Sequence, residues 1–333
     1  MKKIVLGIDV GGTSTKLGLV DAGGNIVAES SIPTPPNTSK MPAKEFIKSL
    51  CEEAFSLQRN EDAELLGIGI GAPNGCYHKG TVEFAANLPW KNEVVPFVDL
   101  MSVYFPNMPI KITNDANAAA IGEMVYGGAR GMADFISITL GTGVGSGIVV
   151  GGQLVYGSDG FAGELGHIIV APTGRQCGCG RRGCLETYVS ATGLKQTAFE
   201  IMSRHYFSEP SLLKEISFNA MTPKYIGDAA AKGDAMAIEV FEETGRTLGQ
   251  ALANNIAFSS PQAIFLYGGL ANAGDLLLNP TRRALDEYTL KNFCKRNARG
   301  EIVQEANADL RLSELNNKNG AVLGAAALVW QDA

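Results

Sequence analysis

One pattern occurs twice in this chain of 333 residues. The first copy is an apolar run over 3–9, the turn Gly11-Gly12-Thr13, a second run over 16–21, the turn Ala22-Gly23-Gly24-Asn25 and a third run over 26–30. The second copy is a run over 135–140, the stretch Gly141-Thr142-Gly143-Val144-Gly145-Ser146-Gly147, a run over 148–150, the turn Gly151-Gly152-Gln153 and a run over 154–156. Short apolar runs punctuated by glycine predict strands in a meander. At an offset of 130, Ile8, Gly11 and Thr13 align with Ile138, Gly141 and Gly143, and the second turns align at nearly the same offset. Identity is low, but the order of elements repeats, as in a duplicated domain. The chain is also longer than one core sustains, about 250–300 residues. The expectation is an α/β fold of two like lobes with a cleft between them. Residues 1–115 with 320–333 are assigned to a small N-terminal lobe, and 116–319 to a large C-terminal lobe.

Other elements follow from spacing. Phe46, Ile47, Leu50, Cys51, Ala54 and Leu57 recur at helical intervals, predicting a helix over 43–58. Strands are predicted over 65–70, 110–113 and 263–267, and helices from about 116, over 223–232, over 234–258 and over 320–330. Hydrophobic residues make up 45% and charged residues 19%, which excludes global disorder. The net charge of −6 argues against nucleic acid or an anionic membrane as partner. No stretch reaches the roughly 18 apolar residues of a membrane span. Met1-Lys2-Lys3 begins like a secretion signal, but the apolar run ends at Asp9, so a cytoplasmic location is expected.

Four groups of residues carry chemistry. Glycine turns let backbone N–H groups converge on an anion. Asp9-Val10-Gly11-Gly12-Thr13 adds a carboxylate suited to a hydrated Mg²⁺ and a hydroxyl donor. Neither turn is a Walker A loop, since the chain has no Gly-Lys dipeptide, and neither is a Rossmann fingerprint, since each leads into a strand. Asn114-Asp115 lies at a strand end before a helix. Asp115 reads either as a helix cap or as a carboxylate presented at a sheet edge, where α/β folds bind ligands. Glu164-Leu165-Gly166-His167 is followed by Cys177, Cys179 and Cys184, three of the six cysteines within eight residues. Three thiolates and an imidazole supply the four ligands of a closed structural zinc site. Glu164 and Glu186 flank that cluster.

Together these residues resemble the ROK family of sugar kinases and sugar-responsive repressors. The resemblance covers nearly the whole chain. It is carried by Asp9-Val10-Gly11-Gly12-Thr13, Gly69-Ile70-Gly71-Ala72-Pro73, Asn87-Leu88-Pro89-Trp90, Asn114-Asp115-Ala116-Asn117, Gly141-Thr142-Gly143-Val144-Gly145, Ala162-Gly163-Glu164-Leu165-Gly166-His167, the cysteine motif through Glu186, and Tyr267-Gly268-Gly269. It implies an actin-like (ribonuclease H-like) fold and ATP-dependent phosphorylation of a hexose, with Asp115 as general base. It implies that Asn87, Asn114, Asp115, Glu164, His167 and Glu186 hold the sugar, and that His167, Cys177, Cys179 and Cys184 bind structural zinc. Asp9, Gly11, Gly12, Thr13, Lys16, Thr142 and Gly143 are candidates for ATP phosphate and Mg²⁺, and Gly268 and Gly269 for the adenosine. The family usually follows its Gly-x-Pro with glycine; here Asn74 stands there.

Glucose is the favoured sugar, with N-acetylmannosamine, N-acetylglucosamine, fructose and allose as alternatives. Relatives suggest a homodimer or homotetramer. A sugar-sensing repressor would carry an additional N-terminal helix-turn-helix domain, for which the strand beginning at Lys3 leaves no room. An actin-like filament or chaperone ATPase would need neither the cysteine cluster nor the paired glutamates.

Overall fold

The doubled meander is present in the computed structural model, which describes residues 2–205, 210–304, 306–316 and 319–331. The first copy is β1 (Lys2–Val10), β2 (Ser14–Asp21) and β3 (Ile26–Pro33), followed by α1 (Ala43–Arg59) and β4 (Ala63–Ala72). Short strands β5 (Gly75–Cys76), β6 (Thr81–Glu83) and β7 (Val94–Val95) form a small sheet of their own. Then come α2 (Phe97–Ser102), β8 (Ile110–Asn114) and α3 (Asp115–Tyr126). The second copy is β9 (Phe135–Leu140), β10 (Val144–Val150) and β11 (Gln153–Leu154). Helices α4 (Glu186–Val189), α5 (Ala191–Arg204), α6 (Pro223–Ala231) and α7 (Ala235–Ser259) precede β12 (Ala263–Tyr267) and α8 (Asp275–Tyr288). A hairpin of β13 (Lys295–Arg296) and β14 (Ile302–Gln304), the strand β15 (Asp309–Leu312) and α9 (Gly320–Trp330) follow.

The two large sheets share one topology: β3-β2-β1-β4-β8 and β11-β10-β9-β12-β15. In the first, β1 runs antiparallel to β2 and parallel to β4, and β4 is parallel to β8. In the second, β12 runs parallel to both β9 and β15. The glycine stretch of the second meander is shorter than expected, because β10 already begins at Val144. Its later glycines serve packing rather than turning: a Cβ on Gly147 would lie 2.5 Å from that of Ala120.

The chain divides into unit 1 (1–132, 147–163, 313–333) and unit 2 (133–146, 164–312). This boundary lies beyond the sequence-based one at 115. The reason is α3, which packs so closely along α9 that a Cβ on Gly122 would sit 2.8 Å from Gly324 Cα. In unit 1, α1 buries the six apolar positions that its spacing picked out. Helix α9 is buried on nearly all sides and lies on β1 and β4. A Cβ on Gly69 would fall 1.8 Å from the carbonyl oxygen of Ala325, so only glycine lets helix and sheet touch backbone to backbone there. Such contacts account for part of the glycine excess, 40 residues in the chain.

Candidate active site

Unit 1 gathers its candidates at the C-terminal ends of β1, β4 and β8. Asp9 pairs with Lys16 across the hairpin and with Gly71 on the other side. The turn after it is tight, with Gly11 N–H donating to Ser14 O at 3.1 Å. Gly12 and Thr13 are exposed at the tip, and Asn87 lies against it: a Cβ on Gly12 would be 3.4 Å from Asn87 Cβ. Asn114 ends β8, in register with Ala72 of β4.

Asn114, not Asp115, caps α3. Its side-chain oxygen accepts from Ala116 N–H at 2.9 Å, and an oxygen of Asp115 accepts from the same amide at 2.8 Å. Asp115 is therefore free of the capping role and occupies the first helical turn as a presented carboxylate. It is accessible to solvent, yet protein atoms crowd its carboxyl, and this desolvation lifts its pKa against the pull of the Ala116 amide. Asp9 is lifted to about 6, by burial first and by the Asp115 charge second, with Lys16 opposing. A carboxylate whose proton affinity is raised by a neighbouring carboxylate also favours a cation beside it, which fits Mg²⁺.

Unit 2 gathers its candidates where β9 and β12 end. The turn 141–143 closes with Gly141 N–H donating to Gly143 O at 3.0 Å, and Gly268 follows β12 next to it, its φ of 105° set where Leu270 N–H reaches Leu140 O at 3.1 Å. Thr142 is exposed, and a Cβ on Gly269 would meet nothing within 4 Å, leaving open space at the turn. Glu186, the first residue of α4, accepts at Oε2 from Val144 N–H at 3.0 Å. Its other oxygen lies 3.8 Å from Cys177 Sγ. Glu186 thus spans the glycine turn and the cysteine cluster.

The Glu164–His167 segment forms a short 3-10 turn anchored by Leu165 N–H on Ser146 Oγ at 3.3 Å. His167 presents Nδ1 to Cys177 Sγ at 3.7 Å and Nε2 to Glu164 at 4.0 Å. The ligand atoms of His167, Cys177, Cys179 and Cys184 all fall within 4.8 Å of one another, and Cys179 and Cys184 sulfurs are 3.6 Å apart. Metal–sulfur bonds of about 2.3 Å in a tetrahedron imply an edge of about 3.8 Å, so the donors fit a zinc-sized tetrahedral ion. Burial pushes the Cys177 thiol up to about 12. At Cys179 burial acts the same way, but the amide and guanidinium of Arg181 outweigh it and bring the thiol to about 6. A cation would complete the ionisation of the set.

A family model described as "ROK family" matches residues 5–332. The chain belongs to the ROK family. A glucokinase of Halalkalibacterium halodurans is 36% identical over 328 residues, covering 98% of this chain and 94% of the relative. The crystal structure of a ROK glucokinase from Streptomyces griseus, in complex with glucose and AMPPNP, superposes with a TM-score of 0.78 at 32% identity, covering 98% of this chain and 99% of that one. The fold is therefore the two-domain, actin-like fold of ROK sugar kinases. The family includes regulators: the xylose repressor of Caldicellulosiruptor bescii is 29% identical over 98% of this chain, which spans 78% of the repressor.

One ROK residue with a large structural part escaped the sequence. Arg175, two residues before Cys177, donates to Glu200 at 2.9 and 2.6 Å, to Thr187 O at 2.7 Å and to Thr197 Oγ1 at 2.9 Å. It also stacks on Tyr188, 4.5 Å from the ring centre. The cysteine loop is thereby tied to α4 and α5 by a partly buried guanidinium. Nothing in the spacing around Arg175 distinguished it from the neighbouring Arg181 and Arg182.

Proposed function

We propose that this chain, a ROK-family sugar kinase, transfers the γ-phosphoryl group of ATP to a hexose, with glucose giving glucose 6-phosphate as the first candidate. The observation that carries the reading is the Asp9–Asp115 pair. Asp9 lies near the C-terminal end of β1 and Asp115 opens α3 just after β8, two strands away across β4, close enough for the Asp115 charge to raise the pKa of Asp9. In this reading one carboxylate takes a hydroxyl proton and the other stands near a metal–nucleotide charge. Asp115, with its raised proton affinity, accepts the proton of the attacking sugar hydroxyl, and Asn114 orients it through their shared Ala116 amide. Asn87, Asn114, Glu164, His167 and Glu186 supply the mixture of acceptors and donors that sugar hydroxyls require. The N–H groups of Gly12, Thr13, Thr142 and Gly143, with Lys16, meet the phosphates, Gly11 shapes the first turn so that the phosphates can approach it, and Gly268 and Gly269 lie along the adenosine. Mg²⁺, when bound, neutralises charge on the transferring phosphoryl group.

His167, Cys177, Cys179 and Cys184 hold zinc as a structural ion. With Nδ1 toward the sulfurs, Nε2 of His167 remains to donate to a sugar hydroxyl. Four protein donors leave no coordination position for water or substrate. The six cysteines, all unpaired, support a cytoplasmic setting. Among the described residues no helix is long and apolar enough to cross a membrane.

A coupled ADP-release assay with ATP, Mg²⁺ and a panel of glucose, N-acetylmannosamine, N-acetylglucosamine, fructose and allose tests the reading. Turnover with glucose above the others is expected. A lack of sugar-dependent ADP release across the panel would overturn it in favour of a sugar-sensing regulator.

A further inference from the structure

Asn74 stands two residues beyond Ala72, the β4 residue in register with Asn114. Its φ is 52°, in the left-handed region where asparagine is tolerated better than other side chains. Glycine would adopt the same backbone at lower cost, but asparagine brings an amide. Its Nδ2 donates to Glu83 O at 2.9 Å and to Phe84 O at 3.4 Å, while the main-chain carbonyl of residue 74, which glycine would also supply, accepts from Glu83 N–H at 3.1 Å. Glu83 is itself fixed: its buried carboxylate accepts from Thr81 Oγ1 at 2.8 Å and from Lys79 Nζ at 3.0 Å.

What the amide holds is strained. Phe84 has a φ of 51° and is 57% exposed. A bulky residue in left-handed backbone is a genuine outlier, and an exposed ring gains little burial to offset the strain. The turn opens a closed loop, with Phe84 N–H on Glu93 O at 3.0 Å and Leu88 N–H on Ala85 O at 3.0 Å. Leu88 and Trp90 are buried in the unit 1 core. Asn87, between the strained turn and those anchors, is exposed and lies against the Gly12 tip.

We propose that Asn74 is a positioning residue: its side-chain amide clamps the strained Phe84 turn and so fixes Asn87 beside the first glycine turn, setting affinity and selectivity for the sugar. This rests on the reading of Asn87 as a sugar ligand. Glycine at 74 would keep the bend and release the clamp. Aspartate would keep the backbone preference and replace the donor with an acceptor facing two carbonyl oxygens.

The test uses the full-length protein and the hexose on which the wild type is most active. Asn74→Gly should raise the KM for that hexose roughly 3- to 10-fold, the worth of one hydrogen bond. The KM for ATP should stay within about two-fold, and kcat should change little. Asn74→Asp should raise the hexose KM at least as much. Both variants should lower the ratio of kcat/KM between the best and second-best hexose, and amides 84–90 should exchange with deuterium faster than in the wild type. A purely structural role would move ATP and hexose parameters together. Unchanged hexose KM and selectivity in both variants, with an active wild type, would overturn the clamp alone. Inactivity of the wild type toward every hexose would instead overturn the kinase reading, and the clamp's role in sugar affinity with it.

Discussion

Asp115 shares an amide with Asn114, and the capping is done by Asn114. Replacing Asp115 by asparagine should therefore leave α3 and the melting temperature nearly unchanged. It removes the proton acceptor, so kcat should fall by roughly 10²–10⁴-fold with sugar affinity retained; near wild-type turnover would dismiss Asp115 as the base. Asp9 makes a different prediction. Its pKa is 3.8 unfolded and about 6 folded. Below pH 3.8 both states are protonated and the residue is neutral toward stability. Between 3.8 and 6 the unfolded chain ionises first, so stability drains away, and above 6 the full cost, about 3 kcal/mol, is in place. Asp9→Asn should raise the melting temperature of nucleotide-free protein at pH 8 and leave it nearly unchanged at pH 4, while weakening ATP in calorimetry. An equal shift at both pH values would contradict the assignment of that cost to ionisation.

The turns and elements differ in how far the chain discloses them. Glycine turns and the spacing of α1 depend on local chemistry, so both are readable along the sequence, as is the cysteine cluster, whose members are neighbours. Helices α5 and α8 and the strand β15 are not: α8 carries Pro280 inside it, and β15 is four residues long and completed by pairing with β12. The two-way contact of Glu186 is invisible for the same reason, since it depends on where α4 lands against β10. That contact changes what Gly143 substitutions do. A Cβ there would lie 2.5 Å from Glu186 Oε2, so Gly143→Val should displace the glutamate as well as crowd the turn. The KM values for ATP and for sugar should both rise; a rise for ATP alone would show that Glu186 does not serve the sugar. Cys184 bridges to Ile169 and precedes Glu186 by two residues. Cys184→Ser should lose zinc by elemental analysis and raise the sugar KM about 10- to 100-fold, with a smaller effect on ATP. Full sugar affinity in a demonstrably zinc-free protein would reduce the cluster to a loop brace.

At the scale of the whole chain, the duplicated sheets make the two units alike in plan, and unit 1 is closed by a segment far along the sequence. Helix α9 rests on β1 and β4 through glycines whose side-chain space its own backbone occupies. Its residues stand more than 300 positions after those of β1, for instance Val322 against Gly7. Contacts of such separation are slow to form, because a long loop must close before they return any energy. During synthesis β1 and β4 wait, the face that α9 covers left bare, until that helix, more than 300 residues after β1, has been added. A chain stopped before Gly320 should therefore keep its first meander open to limited proteolysis and to aggregation, and supplying α9 as a separate peptide should restore protection to β1 and β4 before any other part of the molecule.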